Sequence, residues 1–210
     1  MAVVTITRQF GSGGSSVAAQ VAASLGWTLV DNDFVATVAQ RAGLPVETVA
    51  AHEERSPSLM QRLVRALGTA SPEMFVDVGQ EAAEPTEEQI VRVTARVIEE
   101  AAQHGRAVLV GRGAQAILAS SRPGDALHVY VVAPREDRVR EAMRRLSVDE
   151  KAAGDTLDRT DADRDRYVAR WHGRKRQDPA NYHLVLNTGW LGYDGAAQLI
   201  VAAVKHRRWT

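Results

Sequence analysis

The residues best placed to do chemistry are a glycine-rich run near the start of the chain and two sets of arginines further on. Ala2 to Thr7 is a short apolar, β-branched run with the composition of a buried strand. Gly11-Ser12-Gly13-Gly14 follows, then Ser15 to Leu25 has helix-forming composition, with Gly26 where a C-cap belongs. A strand, a glycine turn and a helix in that order suit a phosphate. Glycine lets the backbone take positive φ and approach a ligand closely. Successive N–H groups then converge on an anion at the positive end of the helix. On this reading Gly11, Ser12, Gly13 and Gly14 form a cradle. The hydroxyls of Ser15 and Ser16 either hold Mg²⁺ or cap the helix.

One cation is missing. The common phosphate-loop pattern, G-x-x-x-x-G-K-[ST], carries a lysine that neutralises charge on a transferred phosphoryl group. Here Gly14 stands at the lysine position and Arg8 at the position of the first glycine. Arginine can take over, because its planar fork binds phosphate bidentately. Arg112 follows the apolar run Ala107 to Val110, at the strand edge where open α/β sheets bind ligands. A salt bridge to a nearby carboxylate is its other use. The segment from Asp155 to Asp178 is the most charge-dense in the chain. Either it is a solvent-exposed helix pair laced by i,i+4 ion pairs, or it is a lid that swings arginines over bound phosphates and excludes water. Arg164, then Arg159, are its candidates. No acid ends the third strand, so Asp31 or Asp33, after the second, would orient Mg²⁺ through water. Asp33 can instead bind an acceptor, and Asp31-Asn32-Asp33 can also be an Asx-capped turn.

The elements that must hold these groups alternate. Strands are expected at Trp27 to Val30, Ala107 to Val110, Ala126 to Ala133 and Tyr182 to Leu186, besides the first. Helical stretches separate them: about 34 to 104, a basic helix opened by Pro134, and a closing helix from Gly195 to His206. Such alternation predicts a parallel sheet covered on both faces. The 210 residues suit one domain. Balanced charge, 26 basic against 26 acidic residues, argues against nucleic acid or membrane as a partner. There is no cysteine, which excludes disulfides and thiolate zinc sites. With no signal-like start and no long apolar run, a cytoplasmic location is the expectation.

Thr7-Arg8-Gln9-Phe10-Gly11-Ser12-Gly13-Gly14 resembles the opening motif of cytidylate kinase-like proteins, in which a glycine commonly occupies the lysine position. Further segments resemble that family in order: Leu29 to Asp33, Val110 to Gly113, Val129 to Arg138, Asp161 to Arg164 with Tyr167, and Tyr182 to Leu184 with Asn187-Thr188. The resemblance implies a P-loop NTPase-like, five-stranded parallel sheet flanked by helices. A helical insert over about 34–104 would cover the acceptor, and an arginine-rich lid would span about 150–178. It implies ATP and Mg²⁺, and an acceptor such as CMP or another nucleoside monophosphate. Arg8, Arg112, Arg159 and Arg164 would act on the phosphoryl group, with Asp33, Arg112 and Arg138 on the acceptor. The competing expectation is a non-catalytic nucleotide-binding sensor or scaffold, favoured by the missing lysine. A homodimer through the apolar insert is a further expectation.

Overall fold

A computed structural model of the chain describes residues 2–31, 87–121 and 124–209. Asp33, and the apolar helical face of Leu59, Leu63, Val64 and Leu67, lie outside the described residues.

Among the described residues, five strands form one wholly parallel sheet. They are β1 (Val3–Arg8), β2 (Thr28–Val30), β3 (Ala107–Val110), β4 (Ala126–Val132) and β5 (Leu184–Asn187), in the spatial order β2-β3-β1-β4-β5. The helices are α1 (Gly14–Leu25), α2 (Glu87–His104), α3 (Ala114–Ser121), α4 (Arg135–Leu146), α5 (Glu150–His172) and α6 (Thr188–His206). Side chains alternate across each strand. Val4, Ile6, Val108, Val110, Val129 and Val131 pack with Val17, Val21, Ala196 and Ile200 of α1 and α6. Val3, Ala107, Leu109 and Ala126 pack with Val97, Ile98 and Leu118 of α2 and α3 on the opposite face. Each large side chain so buried contributes about 1.5–3 kcal/mol.

That second face turns polar toward the carboxyl end of the sheet. Thr5 and His128 pair across β1 and β4, with Thr5 Oγ1 2.8 Å from His128 Nδ1. His128 stacks on His183 at 5.0 Å, and the His128 backbone N–H donates to His183 Nδ1 at 2.9 Å. Burial first, then the neighbouring His183 and Arg174, push His128 down to about 4. One step higher, Tyr130 stacks on Tyr182 at 5.0 Å.

Several boundaries differ from expectation for local reasons. Pro134 does not open α4 but sits before it as N-cap, in an extended conformation (φ −53°, ψ 144°). The fifth strand starts at Leu184, not Tyr182, because the 3₁₀ turn Pro179–Asn181 holds Tyr182 through its N–H. The closing helix starts at Thr188, seven residues before Gly195, capped by the Asn187 side chain and broken at Gly192 (φ 69°, ψ 172°). Most of the charged segment lies in one continuous helix, α5, rather than a helix pair, and residues 173–178 follow it without helical structure. The Asp149 side chain caps the start of α5 and Gly173 ends it.

Candidate active site

The glycine turn links β1 to α1. Gly11 (φ +76°) and Gly13 (φ +73°) take left-handed conformations that L side chains rarely adopt. Gly13 is the N-cap of α1, with no side-chain cap hydrogen bond. Ser15 and Ser16 therefore do not cap the helix; both are exposed in its first turn. Ser12 is buried, and its hydroxyl faces inward, 2.9 Å from the Gln9 carbonyl oxygen and 3.2 Å from that of Val131. The Thr188 hydroxyl donates to the Ser12 carbonyl at 2.8 Å and straps the start of α6 to the turn. The Ser12 side chain thus ties the turn to β4 instead of presenting its hydroxyl outward.

A side chain at these glycines would meet protein. A Cβ on Gly11 would lie 2.5 Å from the Arg138 carbonyl oxygen. On Gly13 it would enter the Tyr193 ring, and on Gly14 it would meet the stem of Arg8. The turn is glycine-rich first because three other elements press on it.

At the carboxyl edge of β1 and β3 lies a pocket of about 360 Å³, reached by Arg8 but lined by none of residues 11–16. Four arginines line it: Arg8, Arg112, Arg164 and Arg176. Arg8 ends β1. Arg112 (φ +52°) is a non-glycine residue in left-handed backbone between Gly111 and Gly113, strain of the kind that collects at functional sites. From α5 come Thr160, Asp163, Arg164, Tyr167 and Val168, an i, i+3, i+4, i+7, i+8 stripe that forms one wall. Thr7, Gln115 and Tyr182 also line the pocket.

The cations are braced. Arg164 Nη1 donates to the Arg8 carbonyl at 3.2 Å and Arg176 Nη1 donates to the same oxygen at 2.9 Å. Arg176 Nε pairs with Asp165 at 2.6 Å, and the Tyr182 hydroxyl donates to the Arg176 carbonyl at 2.6 Å. Asp161 is the hub. It accepts from the Phe10 N–H at 2.9 Å and pairs with Arg138 at 2.7 Å, with Arg176 and Arg164 at 3.5 and 3.7 Å. Burial first, then Arg164, Arg112 and Arg176, pull the Arg8 guanidinium down to about 10, with Asp31 opposing. Burial likewise lowers Arg164. Guanidiniums crowded so closely disfavour one another's charge, and a bound anion relieves them.

The fold thus gathers three of the arginines expected to act on a phosphoryl group, Arg8, Arg112 and Arg164. Arg159 is exposed and does not line the pocket; five residues from Arg164, it is rotated about 140° around α5. Arg138 is buried against Asp161 and the Phe10 carbonyl, beneath the turn rather than on the pocket wall. Arg176 is the residue missed. It comes from an irregular stretch after α5, and only the α5 stripe was open to discovery by spacing.

No curated protein matches the chain significantly in sequence. Solved structures are similar in fold. A protein from Eubacterium ventriosum ATCC 27560 superposes with a TM-score of 0.70 at 20% identity, covering 98% of this chain and 99% of that one. Shikimate kinase from Bacteroides thetaiotaomicron gives 0.53 at 10% identity, covering 97% and 98%. A gluconokinase from Sinorhizobium meliloti 1021 gives 0.52 at 12%, covering 98% and 92%. These likenesses agree with the P-loop kinase architecture of the parallel sheet. The sequence itself matches one family model over residues 3–189, nearly the whole chain, and the protein belongs to the cytidylate kinase-like family.

Proposed function

We propose that the chain transfers the γ-phosphoryl group of ATP to a small anionic acceptor, with CMP and other nucleoside monophosphates the first to test. The observation that carries this reading is the pocket walled by Arg8, Arg112, Arg164 and Arg176 at the carboxyl edge of β1 and β3. Phosphoryl transfer asks a protein mainly for positioning and for positive charge around the moving group. Bound ATP and Mg²⁺ would supply the phosphoryl group and part of the neutralising charge. The turn and the first N–H groups of α1 would receive the phosphates, and the exposed Ser15 and Ser16 hydroxyls would be the ones to meet the metal. Among the described residues, no cluster of three or more acids or histidines could hold a metal. Mg²⁺ would take most of its ligands from nucleotide and water, as it commonly does.

The acceptor's charge follows from the wall. Asp163 is the one carboxylate among the pocket-lining residues described, and it is paired with Arg166. An acceptor oxygen that is already ionised needs no general base, which favours a phosphate over an alcohol. Tyr167 and Tyr182 offer flat surface for a ring. In this reading the α5 stripe closes the site against water.

The test is a panel of acceptors, monophosphates alongside sugar acids and alcohols, incubated with ATP and Mg²⁺. ADP and a diphosphate product are expected with at least one monophosphate. ATP binding by calorimetry without product from any acceptor would reject catalysis in favour of a sensor or scaffold.

A further inference from the structure

Counted against the common phosphate-loop pattern, this chain exchanges two residues: arginine for the first glycine, at Arg8, and glycine for the lysine, at Gly14. The structure ties the two changes together. A Cβ built on Gly14 would stand 2.5 Å from the Arg8 Cβ, and 3.2 and 3.3 Å from its Cγ and Cδ. Both Cβ atoms hang directly on backbone, one at the end of a central strand and one at the start of a packed helix. No rotamer change separates them. Only one of the two positions can carry a side chain.

Arg8 holds that place. Its stem runs along the first residue of α1, and its Nη1 ends against Gly111, where an added Cβ would strike it. Gly111 has a φ of +75°, which favours glycine, and the guanidinium lies above it. The charge thus projects from beside the helix start into the crevice between β1 and β3, as a side chain on residue 14 itself would project it.

We propose that Arg8 supplies from the strand the cation that the lysine pattern supplies from the helix, and that Gly14 is glycine so that this arginine can pass. The role rests on the phosphotransferase reading; the steric exchange does not. The guanidinium remains charged at neutral pH, since burial, and after it the neighbouring arginines, lower it only to about 10. Its planar fork lies over the Gly111 turn, and it can offer two donors to one phosphate where an ammonium offers a point charge.

The experiment is a reciprocal exchange. Arg8→Gly and Gly14→Lys are made singly and together, because Arg8→Ala would keep the blocking Cβ. Turnover with the parent's best acceptor should fall by on the order of a hundredfold in each single variant. The Arg8→Gly/Gly14→Lys double variant should regain about tenfold or more over either. A double variant no better than the worse single overturns the proposal, as does parent-like turnover in Arg8→Gly. A thermal arm tests the contact without any activity. Gly14→Ala should lower the melting temperature in the parent, and should leave it unchanged or raise it in the Arg8→Gly background, where alanine's helix preference is unopposed. The same shift in both backgrounds would refute the steric exchange. Should the parent transfer phosphate to no acceptor, the phosphotransferase reading fails by itself. ATP affinities by calorimetry then replace turnover, with the same rank order expected and the same reversal counting against Arg8.

Discussion

Replacing Asp161 with asparagine removes one charge from the point where the glycine turn, α4, α5 and the segment after α5 meet. The carboxylate is 15% exposed and faces Arg138, which is 10% exposed, at 2.7 Å. It also lies 3.5 Å from Arg176 and 3.7 Å from Arg164. The asparagine oxygen can still accept from the Phe10 N–H, so that link survives. Its amide, however, would present donors to the Arg138 guanidinium. Breaking a fully buried ion pair costs about 3–5 kcal/mol, because the remaining charge stays desolvated. The residual exposure here reduces that to about 2–3 kcal/mol. For a chain of this size, each kcal/mol moves the melting temperature by roughly 2–4 °C, giving a drop of about 5–10 °C. Urea unfolding measures the free energy directly, with an unchanged m-value as the check that only stability has moved. Asp155→Asn is the control. Asp155 pairs with Lys151 where both side chains are largely exposed, and it should change stability by no more than about 0.5 kcal/mol. If Asp161→Asn unfolds at the parent's urea midpoint, the hub does not hold the site together and the reasoning is wrong.

Two further outcomes are expected. Arg164→Ala should lower kcat by on the order of a hundredfold with a smaller change in ATP affinity, by analogy with arginine fingers, whereas Arg159→Ala, on the far side of α5, should leave turnover near the parent's; a loss seen only as raised KM would mark uniform binding instead. Stability should fall in acid through His128, whose folded-state pKa of about 4 lies below its ordinary 6.5, so the unfolded chain binds the extra proton. That contribution is complete above pH 6.5 and lost progressively down to about pH 4, to a total of roughly 3 kcal/mol. A urea-midpoint series over that window should flatten in His128→Asn, and identical slopes in both proteins would remove His128 from the account.

Much of the framework was legible because its signals are local. Ala107 to Val110 is a continuous apolar run stopped by Gly111, and it forms β3 over those same residues. Gly26 caps α1 in a left-handed conformation (φ 64°), as its place after a helical run implies. The exchange of Arg8 and Gly14 could be counted along the chain, and alternating strands and helices led directly to the parallel sheet. Hydrophobic period, glycine conformation and capping each act within a few residues, so one sequence suffices to read them.

The duties of the arginines are a different matter. Arg138 and Arg164 are the same residue type on neighbouring helices, yet Asp161, 23 residues from Arg138, holds that side chain under the turn, while Arg164 faces the pocket. Arg176 reaches the site because it donates to the Arg8 carbonyl, 168 residues earlier in the chain. Helix phase separates Arg159 from Arg164, but which phase faces the sheet is set by how α5 packs on α4 through Val139, Ala142, Ala153 and Leu157. A guanidinium has no local preference strong enough to choose its partner. The carboxylate or carbonyl that packing brings within hydrogen-bond reach decides it, and the same tertiary approach leaves room for only one side chain where β1 meets the start of α1.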